Sequence, residues 1–478
     1  MIGRAPQTAG DLDPATWVAA RADLVEALRE LIRIPSVNPV SPSAPDMEAV
    51  AARAIAARLV ESGLEPEVIE PVPGRGSVHV RLRGDGTGGD PLLLLSHLDV
   101  VPAPPERWTH DPFAAEIDDG HVYGRGAVDM KGMAAMELGV VRLLAAEARA
   151  AGLDPAHDPI PGLRRDVLFT CTADEEAGGQ AGARWIADHR PEWLQAAGAV
   201  NECGGVSVTV GGRRLYPIQV AEKGYAAYRL HVRGTWGHGS MPRADNAAVL
   251  AAEVIGRLAV PGPVRLTPLM RRFLELAAAE LPAHASATVE ALLGEDPETA
   301  EAALERSCDP SLARVLRALV RDTLSPNVVA TGVKYNVIPG DATIEVDCRP
   351  LPGTTEAAMR AELVDRMGPT LAAATRIELI VWGEPVEVPA EGPLWDVLTA
   401  TIRDHDPDGV PLGVMAPFGT DAKHTVPLGV PTYGFSPLRL EPEERFLERF
   451  HGVDERVSIA ALGWGLPVLY DVVRRFCG

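Results

Sequence analysis

Apolar residues recur at helical spacing near the start of the chain and then give way to short continuous apolar runs. Helices are predicted in TWVAARADLVEALRELIRI and DMEAVAARAIAARLVESG, where apolar positions recur with the period of a helix. Strands buried on both faces of a parallel or mixed sheet are predicted in PLLLLSHLDVVPA and DVLFTCTA. Because strands alternate with helices, the pattern predicts an α/β fold.

From about residue 218 the predicted order of elements changes to β-α-β-β-α-β, the split βαβ pattern of ferredoxin-like domains. A long strand is predicted in IQVAEKGYAAYRLHVRG, and the helix that follows is predicted to be capped by Asp245. A helical stretch rich in Ala, Leu and Glu, at roughly 267–320, precedes the strands NVVATGVKYNVI and DATIEVDCRPL. We therefore predict an inserted domain over 218–385, which interrupts a larger domain built from 1–217 and 386–478.

The composition of this 478-residue chain is ordinary for a globular protein, but its formal net charge is −21. This charge argues against nucleic acid or an anionic membrane as a partner, since both require clustered Lys and Arg. The five cysteines are scattered without a CxxC pair, which predicts a reducing, cytoplasmic location and no disulfide framework. Neither a signal peptide nor a membrane-spanning segment is expected.

Three consecutive acids, Asp174, Glu175 and Glu176, follow the predicted strand DVLFT. Successive side chains diverge after a strand, so Glu175 and Glu176 cannot point to the same place. One carboxylate can bind a metal ion while its neighbour takes a proton from a water molecule beside that ion. A solvated acidic loop is the alternative, but it explains neither the apolar strand before the acids nor the glycines after them.

Other polar residues stand at the ends of predicted strands. His97 and Asp99 share one face of a strand end, so Asp99 can orient the imidazole while its other nitrogen binds metal. A surface contact between the two side chains is an equally good interpretation of this pair alone. Asp129 follows Gly-rich turns and opens an apolar helix, where capping is the commoner role of an aspartate.

Weaker signals come from isolated residues in turns. Glu202 follows a short strand, Asp421 and His424 share a turn-rich loop, and His238 lies in a tight loop of the inserted domain. Each alone is more often a surface or structural residue, and the remaining histidines, His451 among them, receive no assignment. Taken together, mixed His and carboxylate groups suit zinc and its neighbours, and five ligands with one shared carboxylate suffice for two ions.

Seven motifs, in order, resemble those of the M20 family of metallopeptidases, from about Glu26 to the C-terminus. They are SHLDVVP, YGRGAVDMKG, TADEEAGG, NECGG, GHGSMP, YNVIPGDATIEVDCRP and GTDAKH. The segment FHGVDERVS and the long insertion look most similar to the branch of carboxypeptidase S and the N-acyl amino acid hydrolases. The resemblance implies a mixed-sheet, zinc-exopeptidase-like catalytic domain with an inserted ferredoxin-like lid.

The resemblance also implies two bound zinc ions, with cobalt or manganese as alternatives. By the resemblance, His97, Asp129 and Glu202 bind one ion. Glu176 and His424 bind the other together with Asp129, which bridges the pair. The peptide bond after Asp129 is often cis in this family.

Further roles carried over from the family belong to residues around the reacting bond. Glu175 is the expected general acid and base, and Asp99 is the partner that orients the imidazole of a metal ligand. His238 is expected to stabilise the oxyanion, while Asn336 and Arg349 bind the carboxylate or acyl carbonyl of the substrate. In dimeric members the lid histidine reaches across from a second subunit.

The predicted reaction is hydrolysis of an amide bond next to a free carboxylate, in a peptide C-terminus, a dipeptide or an N-acyl amino acid. A small-molecule substrate is therefore expected. A homodimer through the lid is implied as well, although the helical stretch at 267–320 exceeds the family lid and would obstruct it. Two alternatives stay open: a non-catalytic metal-binding scaffold of the same fold, and a sheet-based interaction module whose acidic loops merely keep it solvated.

Overall fold

The computed structural model describes residues 8–38, 47–294, 296–306 and 310–478, so Cys308 lies outside the described residues. The α-helices are α1 (Pro14–Ile32), α2 (Glu48–Glu61), α3 (Lys131–Ala150), α4 (Ala183–His189), α5 (Ala247–Leu258), α6 (Pro268–Glu280), α7 (Ala283–Leu293), α8 (Pro297–Glu305), α9 (Pro310–Leu319), α10 (Glu356–Ala373), α11 (Pro393–His405), α12 (Ala422–Thr425) and α13 (Ile459–Cys477). The β-strands are β1 (Glu67–Val72), β2 (Arg75–Leu82), β3 (Leu92–His97), β4 (Ile117–Asp118), β5 (His121–Tyr123), β6 (Val167–Thr172), β7 (Gly198–Asn201), β8 (Val208–Val210), β9 (Arg213–Glu222), β10 (Tyr225–Arg233), β11 (Gly237–His238), β12 (Thr323–Thr331), β13 (Val337–Ile338), β14 (Asp341–Arg349), β15 (Thr375–Gly383), β16 (Val386–Glu387), β17 (Val410–Ala416), β18 (Thr432–Gly434) and β19 (Arg456–Ser458).

The chain divides into two compact units. Unit 1 comprises Met1–Val220, Val388–Gly413 and Thr420–Gly478, and unit 2 comprises Ala221–Glu387 and Val414–Gly419. Along the chain, unit 2 therefore interrupts unit 1 twice, once with its long part and once with the short segment after Gly413. The assignment of a catalytic role to the first unit and a lid role to the second stays a prediction.

The main sheet of unit 1 is mixed, as the sequence pattern predicts. Its strands follow the order β1-β2-β6-β3-β7-β18-β9. Strands β6, β3, β7 and β18 run parallel to one another, and every residue of β3 is buried. Because the carboxyl ends of parallel strands lie at one edge of a sheet, the residues after β3, β6 and β7 meet there.

Helix α3 shows how the apolar pattern is used. It lies against α1, α13 and strand β3, and most of its residues are buried. The first turn of the helix needs a glycine at position 132, because the Ala127 carbonyl oxygen lies against it. A Cβ there would lie 2.4 Å from that oxygen. The helix therefore starts tight against the loop that carries Asp129.

Unit 2 contains an antiparallel sheet in the order β12-β14-β10-β15. Helices α5 and α10 pack on one face of it, around a core that includes Tyr228, Ile344 and Leu363. Along the chain the elements follow the order β-α-β-β-α-β, with the helices α6 to α9 inserted before the second strand. This is the split βαβ arrangement that the sequence predicts.

Two local predictions for unit 2 are wrong in detail. The long strand predicted from residue 218 is divided into β9 and β10 at Lys223 and Gly224, whose amides donate to the carbonyls of Ala416 (3.1 Å) and Pro350 (2.8 Å). Helix α5 is capped by Asn246, whose side chain accepts from a backbone amide. Asp245 instead pairs with a neighbouring arginine.

None of the helices in the described part of the chain combines the length and the apolar character that crossing a bilayer requires.

The buried His79 predicts how acid destabilises unit 1. Its ring stacks on Trp193 with 4.7 Å between centroids, and its Nδ1 lies 2.9 Å from Thr170 Oγ1. Burial lowers the pKa of His79 to about 4, below its ordinary value of 6.5. Because the unfolded chain takes up a proton at a higher pH, this stability is present above pH 6.5 and is lost as the pH falls towards 4.

Between pH 7 and pH 4.5, the free energy of unfolding of the wild type is expected to fall by about 2 to 3 kcal/mol more than that of His79→Gln. Urea unfolding with a chelator present, at both pH values, measures this difference. The exposed His157 supplies a control, since His157→Gln is expected to leave the acid sensitivity unchanged. Equal acid sensitivity of wild type and His79→Gln would contradict the prediction.

Candidate metal centre

The acidic run lies in a tight turn at the carboxyl end of β6. Asp174 has a left-handed backbone with φ of 66°, and a single 3-10 turn covers Glu175–Ala177. The Asp174 carboxylate accepts a hydrogen bond from the Ala181 amide (2.9 Å) and lies 3.4 Å from Arg75 Nη1. The first of the three acids therefore closes the turn, and only the second and third are available for chemistry.

Asp99 connects the acidic turn to His97. Its fully buried carboxylate accepts from the amides of Glu175 and Glu176, each at 3.0 Å, and from Asn38 Nδ2 at 2.8 Å. Its backbone carbonyl accepts from His97 Nδ1 at 3.0 Å. This arrangement holds the imidazole with Nε2 directed away from Asp99, in the orientation of a metal-binding histidine.

Two carboxylates face His97 Nε2. Asp129 Oδ1 lies 3.0 Å from it and Glu202 Oε2 lies 3.6 Å from it. Burial alone would lower the pKa of His97, but Glu202 and Asp129 outweigh it and raise that pKa well above its usual range. The pocket therefore attracts positive charge.

His451, which the sequence analysis left unassigned, completes the other side of the cluster. Its Nε2 lies 3.3 Å from Asp129 Oδ2 and 3.1 Å from Glu176 Oε2. The two oxygens of Asp129 thus face two different imidazoles, those of His97 and His451. A carboxylate in this position can bridge two cations, one on each side.

His424 does not take the ligand position that the sequence analysis gave it. Its Nε2 lies 3.2 Å from the Gly178 carbonyl oxygen, and burial followed by the charge of Lys423 lowers the pKa of this histidine to about 4. Successive residues of the short helix α12 point in directions roughly 100° apart. Lys423 consequently faces Glu175 while His424 faces the glycine turn.

Glu175 diverges from Glu176, as predicted for neighbours after a strand. Its Oε1 accepts from Lys423 Nζ at 2.8 Å, and its carboxylate lies close to ligand atoms of His97 and Glu202. The side chain is nearly buried, at 8% exposure. Glu175 therefore lies at the edge of the cluster, and its carboxylate is paired with Lys423.

The distances and charges fit a pair of divalent cations. Ligand atoms around one tetrahedral zinc lie roughly 3.3 to 3.5 Å apart, given bonds of about 2.0–2.2 Å. The four nitrogen–oxygen separations given above run from 3.0 to 3.6 Å. Three carboxylates against two imidazoles leave an excess of buried negative charge, which cations would neutralise.

The protonation of the cluster supports the same interpretation. Burial, followed by repulsion from Asp129, raises the pKa of Glu176 to about 7 and that of Glu202 well above its usual range. In the described structure Asp421 Oδ1 is buried without a hydrogen-bond partner, while its Oδ2 accepts from Thr172 Oγ1 at 2.6 Å. These are the properties of acids that need a nearby cation to stay ionised.

Asp129 has no capping role. Helix α3 begins at Lys131 after Met130, and its N-terminus shows no side-chain cap. The peptide bond between Asp129 and Met130 is cis, as the family resemblance implies. The commoner interpretation of an aspartate before a helix is therefore wrong here.

The three predicted residues of unit 2 fall into two places. The pairing of β11 with β13 and a hydrogen bond from the Gly239 amide to the Asn336 carbonyl (2.8 Å) bring His238 close to Asn336. Arg349 lies on β14, where it forms two hydrogen bonds with Asp347 and stacks on Tyr225. Their substrate-binding roles stay predictions.

Sequence reasoning missed four residues of this region: His451, Lys423, Arg125 and Glu455. For His451 and Glu455 a signal was present in FHGVDERVS, where a histidine precedes an Asp-Glu pair in a turn. Arg125 and Lys423 lie inside the motifs YGRGAVDMKG and GTDAKH. Their contacts could not be read from spacing, because each partner is distant along the chain.

Comparisons with known proteins identify the family of the chain. Residues 93–475 match the sequence profile described as Peptidase family M20/M25/M40. The N-fatty-acyl-amino acid synthase/hydrolase PM20D1 of Xenopus tropicalis is 30% identical over 465 residues, which cover 92% of this chain and 83% of that protein.

Solved structures show the same fold. The M20 family metallo-carboxypeptidase Sso-CP2 of Sulfolobus solfataricus has a TM-score of 0.68 at 16% identity, covering 95% of this chain and 99% of its own. The YXEP protein of Bacillus subtilis, described as a dinuclear metal-binding peptidase of the M20 family, has a TM-score of 0.57 at 14% identity, covering 96% and 98%.

The profile that matches most of the chain identifies its class as that of the M20 metallopeptidases. The chain belongs to peptidase family M20/M25/M40, whose members hydrolyse amide bonds. The predicted fold class, family and enzyme class are thereby confirmed.

Proposed function

We propose that the chain is a di-metal hydrolase that cleaves an amide bond next to a free carboxylate. The first cation would be held by His97, Asp129 and Glu202. The second would be held by Asp129, Glu176 and His451, which replaces His424 in the sequence-based assignment. Zinc suits this donor set, and cobalt or manganese would accept the same ligands.

One observation carries the proposal: the two oxygens of Asp129 face His97 at 3.0 Å and His451 at 3.3 Å. Each imidazole also faces a further carboxylate, Glu202 on one side and Glu176 on the other. The five side chains therefore form two half-sites that share one residue. When bound, cations there would polarise the amide carbonyl and make the attacking water more acidic.

Glu175 is proposed to move the proton. It takes a proton from water as the water oxygen forms a bond to the amide carbon. It then gives this proton to the nitrogen as the carbon–nitrogen bond breaks, which releases a carboxylic acid and an amine. The contact with Lys423 holds the carboxylate in one position for both transfers.

His238, Asn336 and Arg349 are proposed to contact the substrate. His238 would stabilise the negative charge on the carbonyl oxygen, and Arg349 would pair with the free carboxylate through its planar guanidinium. Asn336 would donate from its side-chain Nδ2 to the acyl carbonyl or the carboxylate of the substrate.

The relatives suggest which substrates to test. PM20D1 is named as an N-fatty-acyl-amino acid synthase/hydrolase, and the Sus scrofa relative, 26% identical over 452 residues, is named Aminoacylase-1. N-acyl amino acids with acyl chains of graded length, together with dipeptides, form the screen. Release of the free amino acid by zinc-loaded protein is the expected result, and no cleavage of any member would contradict the proposal.

Masking the substrate carboxylate is expected to lower kcat/KM by about 10- to 100-fold, because a charge-assisted hydrogen bond contributes about 1.5–3 kcal/mol. The comparison uses an N-acyl amino acid and its methyl amide. Arg349→Met should lose this discrimination, whereas Arg376→Met, on the adjacent part of the same sheet, should retain it. Equal discrimination in both variants would exclude Arg349 as the carboxylate partner.

A further inference from the structure

The carboxylate of Glu455 connects two chain segments that carry proposed metal ligands. It is fully buried and lies four residues after His451, at the entrance to β19. Its two oxygens accept four hydrogen bonds, with Oε2 bonded to Arg125 Nη1 (2.6 Å) and the Gly126 amide (3.1 Å), and Oε1 bonded to the Val128 amide (2.7 Å) and the Asp129 amide (3.1 Å).

Arg125 holds the same two segments from the other direction. Its Nη2 donates to the Gly452 carbonyl at 3.1 Å, directly after His451, while its Nη1 donates to Glu455. The guanidinium is 3% exposed and lies 5.2 Å from the centre of the Trp108 ring. A buried ion pair thus joins the turn after His451 to the loop before Asp129.

The imidazole of His451 needs such an anchor, because 53% of its side chain is exposed. Its backbone is left-handed, with φ of 55°, and Asp454 in the same turn has φ of 53°. The Asp454 carboxylate accepts from the amide and the hydroxyl of Thr109, both at 2.7 Å. The position of the ring therefore depends on a turn that adjacent carboxylates fasten to the body of unit 1.

We propose that Glu455 is a positioning residue that fixes His451 relative to Asp129, with Arg125 as its partner, and so builds the second metal half-site. This inference rests on the proposed function, because it assumes that the two residues bind a common cation. It adds a residue that touches neither the cation nor the substrate and acts through the backbone of both ligands.

A glutamine at this position tests the idea with little change in size. Glu455→Gln replaces one acceptor oxygen with an amino group, which then faces N–H donors. Two of the four hydrogen bonds are lost as a result, which loosens the connection between the segments around His451 and Asp129. Outer partners of metal ligands typically change metal affinity by about 10- to 100-fold.

The experiment is a zinc titration of metal-free protein against a competing chelator. Wild type is expected to bind two ions in two steps, and Glu455→Gln should weaken one step by about 10- to 100-fold and the other, which shares only Asp129 with it, much less. The weakened step should be the one that disappears in His451→Ala. Arg125→Lys keeps the positive charge but loses the planar guanidinium that bonds both Glu455 and the Gly452 carbonyl, so it should weaken the same step. This variant serves as a second test if Glu455→Gln fails to fold.

Asp406→Asn is the matched control. Asp406 is another buried carboxylate of unit 1, and it accepts from Arg214 Nη2 (2.9 Å) and the Tyr216 hydroxyl (2.7 Å). This variant should bind both ions with wild-type affinity. Unchanged affinities in Glu455→Gln, or an equal loss of both steps, would overturn the positioning role, whereas wild type that binds no metal would overturn the proposed function itself.

Discussion

Glu175→Gln is expected to retain both cations and to lower kcat by about 10²- to 10⁴-fold, the usual contribution of a general acid and base. Glutamine keeps the size of the side chain and can still accept from Lys423, but it cannot take a proton from water. The structure places the Glu175 carboxylate at the edge of the cluster, paired with Lys423 at 2.8 Å. Turnover of an N-acyl amino acid and elemental analysis of bound metal check the two halves of this prediction.

The neighbouring acid supplies the control. Asp174 accepts from the Ala181 amide and lies near Arg75, so Asp174→Asn should reduce stability by about 1 to 2 kcal/mol and change kcat less than tenfold. A near-normal kcat for Glu175→Gln would exclude the proposed proton transfer. Loss of one cation from that variant would instead make Glu175 a ligand.

His451→Ala and His424→Ala are expected to give opposite results, which distinguishes the structure-based ligand set from the sequence-based one. Removing His451 should eliminate one of the two cations and lower kcat at least about 100-fold, because the stabilisation of transition-state charge by a metal is worth several kcal/mol. Removing His424 should leave both cations bound, since this ring contacts the Gly178 carbonyl at 3.2 Å. Metal stoichiometry and kcat are measured side by side on both variants.

The expected cost of His424→Ala is about 1 kcal/mol of stability, the typical contribution of one hydrogen bond. Thermal unfolding of the metal-free proteins provides that comparison. If His424→Ala lost the cation and His451→Ala kept it, the GTDAKH motif would supply the ligand after all, and the side-chain contacts of His451 would have no role in metal binding.

Much of the architecture could be predicted from the sequence because it depends on periodic burial. The run of leucines before His97 can only be a strand covered on both faces, and its parallel neighbours place their ends at one edge. Strand geometry predicts that Asp99 and His97 share one face, and the backbone carbonyl and carboxylate of Asp99 lie 3.0 Å and 3.5 Å from that ring.

The errors have local causes that no periodicity reveals. A single helical turn decides whether Lys423 or His424 points towards the acids, and the sequence GTDAKH gives no register for a helix of four residues. His451 projects from a backbone with positive φ, which is unusual for a residue other than glycine and cannot be read from its neighbours. The strand predicted from residue 218 breaks where the amides of Lys223 and Gly224 bond to carbonyls that are distant along the chain.

The turn formed by residues 451–455 follows the Asp129 loop at a long distance along the chain, 326 residues from Asp129 to Glu455, yet it contributes both an imidazole and the carboxylate that secures that loop. A ribosome must therefore deliver both of these distant segments before the pocket can close.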